Sequence, residues 1–217
     1  MKPAQLAQLA FVFLAAFAVY SFVSMARDGE RRRVCSPLCA MRPNYAERNR
    51  LAPTFQLPNL QGQMRRLNDY QGRVVILNFW TKTCRPCLEE MPSLADLGKL
   101  IQNRRDVVLV TITTDESADD AKGTLRSVLG GPAPFEVLID PDAKVVTGKF
   151  GTKLFPETWF IDRQGVVRAR IDGARDWSGA MPLEFAETLE GPASCPIAFV
   201  SGRPSGDFAS LCDDSAG

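Results

Sequence analysis

One junction limits what this chain can fold into more than any other. An unbroken apolar run, Val74-Val75-Ile76-Leu77-Asn78-Phe79-Trp80, leads through Thr81-Lys82-Thr83 into Cys84-Arg85-Pro86-Cys87. The run is bounded by Gly72 on one side and the cysteine pair on the other, and reads as a central strand buried on both faces. Beyond it Met91, Leu94, Leu97 and Ile101 recur at spacings of three and four, which predicts a helix from about Cys84 to Asn103 with one buried face. Pro92 interrupts that helix and is expected to kink it.

A C-x-x-C pair where a buried strand turns into a helix has a chemical purpose. The first turn of a helix leaves backbone N–H groups unpaired and carries a partial positive charge, and both favour a thiolate at the first cysteine. Two intervening residues let the sulfurs meet within one turn. Pro86 suits a first-turn position, where its missing N–H is not needed, and Arg85 adds a nearby cation. Cys84 is therefore the expected nucleophile, forming a mixed disulfide that Cys87 resolves. The pair also supplies half of a zinc site, but with no histidine in the chain the other half would have to come from Cys35/Cys39 or Cys195/Cys212. No metal site is expected. A purely structural disulfide is the remaining plain reading, and the strand–C-x-x-C–helix context argues against it.

The rest of the chain fits an α/β domain. Residues 54–72 read as a short hairpin and a turn. Asp106–Thr113 reads as a strand, Ala118–Leu129 as a helix ended by Gly130-Gly131-Pro132, Phe135–Ile139 as a strand and Pro141–Phe150 as a short helix. Thr158–Ile161 and Val166–Ile171 form a hairpin around Asp162-Arg163-Gln164-Gly165, and Pro182–Leu189 a last helix. This order predicts a mixed central sheet with helices on both faces. The 26 basic and 25 acidic residues nearly cancel, which gives no electrostatic reason to expect a nucleic-acid partner. The lack of histidine also removes Ser-His and Cys-His nucleophile pairs.

From Pro3 to Ala26 there is no charge, and Leu9–Val23 is almost wholly apolar. A segment of about 20 such residues spans a bilayer. Residues 1–26 therefore read as a transmembrane anchor, with a cleaved signal peptide as the alternative at Ser24-Met25-Ala26. Residues 27–52, basic and broken by Pro37 and Pro43, read as a linker. Residues 53–190 form the folded domain, and residues 191–217 a tail. Lys2 lies before the apolar segment, and Arg27, Arg31, Arg32 and Arg33 lie after it; these charges alone would keep the domain in the cytoplasm. The two cysteine pairs outside the motif argue for an oxidising compartment, and this weighs more. Cys195 and Cys212 are expected to close the tail loop. Cys35 and Cys39 then pair locally or tie the linker to the tail.

The segment VVILNFWTKTCRPCLEEMPSL, Val74–Leu94, resembles the thioredoxin superfamily, and most of all its membrane-anchored bacterial branch of TlpA/ResA-like thiol–disulfide oxidoreductases. The resemblance implies a thioredoxin-like three-layer α/β fold preceded by the transmembrane helix. It implies protein thiol and disulfide substrates, as in extracytoplasmic protein or cytochrome c maturation. It also implies a membrane dithiol electron donor, a bacterial inner-membrane location with the domain on the periplasmic side, and no cofactor beyond the redox-active disulfide. Trp80 would pack beside the dithiol. Pro156, in Phe155-Pro156-Glu157-Thr158, would be the cis-proline facing it, leaving the Phe155 backbone free to pair with an extended substrate. Trp80, Arg85, Pro86, Phe155 and Pro156 are thus the expected substrate contacts, and Glu90 matches an active-site glutamate that exchanges a proton with Cys87. Two departures stand out: Asn78 replaces the buried aspartate of thioredoxin, and Arg85-Pro86 replaces its Gly-Pro. Two rival functions are a thiol peroxidase, since Thr81-Lys82-Thr83-Cys84 fits T-x-x-C, and a redox-inert membrane-tethered binding module.

Overall fold

In the computed structural model, residues 3–44, 50–189, 195, 197–200, 202–206 and 208–215 are described. Lys2, residues 45–49 of the expected linker and the expected domain–tail junction at 190–194 lie outside the described residues.

The central sheet has five strands in the order β5-β4-β3-β6-β7. These are β3 (Val74–Trp80), β4 (Val107–Thr113), β5 (Glu136–Ile139), β6 (Glu157–Ile161) and β7 (Val167–Asp172). The short hairpin of β1 (Gln56–Pro58) and β2 (Met64–Arg66) precedes them. β3 runs parallel to β4 and antiparallel to β6, so it lies at the centre, and every one of its residues is buried. Its alternation divides the core. Val74, Ile76 and Trp80 face one side, with Met91, Leu94, Leu97 and Ile101 of α2 (Arg85–Ile101), Ala121 and Leu125 of α3 (Ala118–Leu129) and Phe185 of α4 (Met181–Thr188). Val75, Leu77 and Phe79 face the other, against Phe55, Leu57, Tyr70, Val145, Val146 and Phe150.

The layers are therefore helices, mixed sheet, and a cover of hairpin and turns. The expected helix over residues 141–150 is not formed: the Asp140 carboxylate accepts hydrogen bonds from the N–H groups of Val145 and Val146 at 2.9 and 2.8 Å, and Ala143 takes a positive φ of 52°. Those contacts fold the segment into turns. By contrast α3 has both of its expected ends, with Ser117 capping the N–H of Asp120 and Gly130 closing the helix at φ 71°.

The amino-terminal region also differs from expectation. One helix, α1 (Pro3–Met41), continues into the predicted linker as far as Met41, with Pro37 inside it four residues from its end. Asp28 and Arg31 form an i,i+3 ion pair on it. The apolar part stands clear of the domain: Phe11, Phe13, Phe17, Tyr20 and Phe22 are all exposed. The far end does not. Cys35 and Cys39 lie one turn apart on the same face and are buried against the domain. They bond to the tail as Cys35–Cys195 and Cys39–Cys212, which replaces the expected Cys195–Cys212 loop. The tail adds the hairpin β8 (Ala198–Val200) and β9 (Arg203–Ser205) and a 3₁₀ helix, Ala209–Ser215. Arg31 also stacks over Phe208 of the tail at 5.3 Å. Residues 50–52 already belong to the folded unit, since Val167 N–H donates to the Arg50 carbonyl and Ala52 N–H to the Gly165 carbonyl.

Candidate active site

The dithiol sits where sequence places it. Cys84 is the residue before α2, in extended conformation with φ −88° and ψ 96°, and its sulfur accepts a hydrogen bond from the Cys87 N–H at 3.2 Å. That is the N-cap position, with the sulfur occupying the place a capping oxygen usually takes. Pro86 falls in the first turn. The two sulfurs are joined at 2.06 Å with Cα atoms 5.3 Å apart. Cys84 is half-buried and Cys87 wholly buried, so only the first sulfur faces solvent.

Arg85 is extended into solvent and paired with Glu89 at 2.9 Å, and both side chains are exposed. A pair of that kind contributes little field at the sulfur. Lys82 is likewise engaged, by Glu116 at 2.5 Å and Asp120 at 3.1 Å, and these partners hold its ammonium well above the usual lysine range.

Beneath the dithiol lies a buried polar cluster. Asn78 is on the helix-facing side of β3 and donates from Nδ2 to Glu90 Oε1 and to Thr158 Oγ1, each at 2.9 Å. Glu90 is only 3% exposed. Its second oxygen accepts from the Arg175 N–H at 3.0 Å and from the indole N–H of Trp177 at 2.9 Å. Burial pushes the Glu90 carboxyl above the usual glutamate range, against the pull of the three hydrogen bonds from Trp177, Arg175 and Asn78. Glu90 is therefore not a solvated helix carboxylate. Trp177, which the sequence reading did not single out, is the residue that closes its pocket; a lone tryptophan in the polar stretch Asp172–Ser178 was the available signal.

Trp80 packs in the same buried cluster as Cys87, but not as the expected substrate contact. It is fully buried and its indole N–H donates to Thr111 Oγ1 at 3.1 Å, so it supports the strand from inside and presents nothing to a substrate. Pro156 follows a cis peptide bond from Phe155. The register pairs Glu157 with Phe79, which puts the Phe155-Pro156 turn at the end of β6 next to Trp80, where β3 leaves the sheet for the dithiol. The Pro156 carbonyl accepts from Gly173 N–H at 2.9 Å. Among the described residues, no hydrogen bond engages the Phe155 backbone. Leu154 beside it is 81% exposed. No group of three or more acidic or cysteine side chains suited to a metal occurs among the described residues.

With that geometry in place, comparison with known proteins gives a consistent answer. The AhpC/TSA family profile matches residues 49–170. The chain belongs to the AhpC/TSA family, among its ResA-like thiol–disulfide oxidoreductases. It is 34% identical over 122 residues to the thiol-disulfide oxidoreductase ResA of Geobacillus thermodenitrificans, covering 56% of this chain and 67% of that one. It is 32% identical over 117 residues to the thioredoxin-like protein YneN of Bacillus subtilis, covering 54% of this chain and 66% of that one. The alignments thus span about two thirds of each relative's length. Among solved structures, a thiol:disulfide interchange protein of DsbE type from Chlorobium tepidum is 29% identical with a TM-score of 0.58, covering 66% of this chain and 99% of that one.

Proposed function

We propose that this protein exchanges disulfides with protein substrates through Cys84 and Cys87, acting as a reductase in extracytoplasmic protein or cytochrome c maturation. The observation that carries the reading is the asymmetry of the pair: a half-exposed sulfur at the helix N-cap, bonded to a fully buried one. In the reducing direction, the Cys84 thiolate attacks a substrate disulfide, forming one S–S bond and releasing a substrate thiolate. Glu90 takes the Cys87 proton. Cys87 then attacks the Cys84 sulfur and releases the second substrate thiolate. Two electrons have passed to the substrate, and the Cys84–Cys87 disulfide remains. A membrane dithiol donor restores the dithiol by the reverse exchange, with no further cofactor.

The free backbone at Phe155 suits an extended substrate segment pairing by strand addition, with Arg85 and Pro86 at the rim. The N-terminal helix holds the protein in the bacterial inner membrane as a single pass, with the domain on the periplasmic side. Two features support this: Ala10–Met41 contains an exposed window of mean hydropathy 1.7, and two disulfides outside the motif suit an oxidising compartment. A peroxidase reading is less well served. The Thr81 hydroxyl, which T-x-x-C chemistry would aim at a peroxide, donates instead to Asp115 at 2.8 Å.

The test is insulin reduction beside hydrogen peroxide consumption, with Cys84→Ser and Cys87→Ser variants. The proposal expects insulin turnover that Cys84→Ser abolishes, and mixed disulfides that accumulate in Cys87→Ser. Peroxide turnover without insulin reduction would make it a peroxidase. Neither activity, with no trapped partner, would leave a binding module.

A further inference from the structure

The turn that delivers Cys84 to its N-cap is short and irregular, and it hangs from one buried carboxylate. Thr81-Lys82-Thr83 connects β3 to Cys84 and is closed by a single backbone bond, Cys84 N–H to the Thr81 carbonyl, at 3.0 Å. Outside that bond, the turn is gripped from the loop between β4 and α3. Asp115 Oδ1 accepts the Thr81 hydroxyl at 2.8 Å and the Lys82 N–H at 2.7 Å. Asp115 is itself fixed, since its own N–H donates to Thr113 Oγ1 at 3.1 Å and it is 1% exposed. Its other oxygen, Oδ2, is buried and has no partner among the described residues. A half-satisfied buried carboxylate costs stability relative to an apolar residue of similar size. Its presence at this point has a compensating use if the turn must be held.

We infer that Asp115 is a positioning residue for the nucleophile: it fixes residues 81 and 82 so that the Cys84 sulfur stays at the N-cap of α2. This rests on the oxidoreductase reading of Cys84. The physical reason lies in the reduced state. In the disulfide, the bond to buried Cys87 holds Cys84 in place. Once that bond opens, the constraints on Cys84 from its N-terminal side among the described residues are the turn and its anchor. A thiolate that swings away from the N-cap loses the Cys87 N–H and the helix-terminal charge, and with them much of its stabilisation. The anchor therefore acts when the enzyme is ready to attack. Lys82 extends the same grip at the surface through Glu116 and Asp120, so the 115–120 segment holds two consecutive residues of the turn.

The test compares full-length reduced wild type with Asp115→Asn, Asp115→Ala and Thr81→Val. The readout is the rate constant for iodoacetamide alkylation of Cys84 at fixed pH, with thermal stability measured in parallel. Asparagine keeps an acceptor for both donors, and alanine removes it. Asp115→Ala is expected to slow Cys84 about tenfold, the equivalent of losing one to two hydrogen bonds. Asp115→Asn should stay near the wild-type rate. Thr81→Val, which keeps the Lys82 N–H bond and folds even if Asp115→Ala does not, should slow Cys84 roughly threefold. A reactive wild type whose rate is unchanged in Asp115→Ala and Thr81→Val overturns the inference, as does an Asp115→Asn variant as slow as the alanine one. A wild type with an unreactive Cys84 overturns the oxidoreductase reading itself.

Discussion

Replacing Trp177 with phenylalanine isolates one hydrogen bond in the pocket of Glu90. The indole N–H gives Glu90 Oε2 a contact of 2.9 Å, while the Trp177 backbone N–H bonds separately to Ser93 Oγ at 3.0 Å and survives the change. A hydrogen bond to a buried charged group is worth about 1.5–3 kcal/mol, so its loss should push the Glu90 carboxyl further above the usual glutamate range. The sign of the stability effect follows. Because the folded-state pKa of Glu90 is already raised by burial, the group favours the fold at pH below its unfolded pKa, and that contribution is lost as pH rises through the folded pKa. The lost indole bond served the ionised form. Trp177→Phe should therefore cost its packing and one ordinary hydrogen bond at about pH 4, and about 1 kcal/mol more at a pH where Glu90 is ionised, read at about pH 8. Urea denaturation at the two pH values measures the difference directly. Glu90→Gln is the control and should lose most of the pH dependence in this range that the pocket contributes. An equal destabilisation by Trp177→Phe at both pH values would refute the reasoning, because the indole would then be packing and not charge support.

Other expectations follow from particular contacts. In the chain-entropy view, Cys35→Ser combined with Cys39→Ser removes a cross-link over 160 residues worth about 5 kcal/mol, and a second worth about 3 kcal/mol because it then closes only some 20 residues; a large fall in denaturation midpoint in detergent checks this. Thr158→Val removes one of the two acceptors of the Asn78 amide and should cost about 1 to 2 kcal/mol, read by the same denaturation. Leu154→Asp changes a side chain that is 81% exposed beside the cis-proline turn; it should raise the KM for insulin and leave the melting temperature within a degree or so.

Local signals in the sequence were reliable where the structure they encode is local. β3, the dithiol and the start of α2 lie within one stretch, and every feature that defines them lies in that stretch too. Gly130 marks the end of α3 for the same reason. What failed to show depends on distant partners. Glu90 reads as an ordinary helix carboxylate until Trp177, 87 residues later, folds over it. Cys35 and Cys39 could be counted but not paired, because their pairing depends on α1 continuing past Pro37 and laying one face against the tail. Pro37 suggested a linker, yet near the end of a helix it displaces few backbone bonds. The segment after Asp140 reads as a short helix, and a single side chain capturing two N–H groups turns it into loops. Trp80 was correctly placed beside the motif in sequence but is buried by the strand alternation that the same run dictates.

The central claim is that the two sulfurs of the motif are unequal, Cys84 attacking and Cys87 resolving. Competitive alkylation of the reduced protein at neutral pH, quenched at short times and read peptide by peptide by mass spectrometry, tests it most directly. The account predicts that label appears on residue 84 well before residue 87, which is wholly buried. Equal labelling of the two, or label arriving first at residue 87, would contradict it.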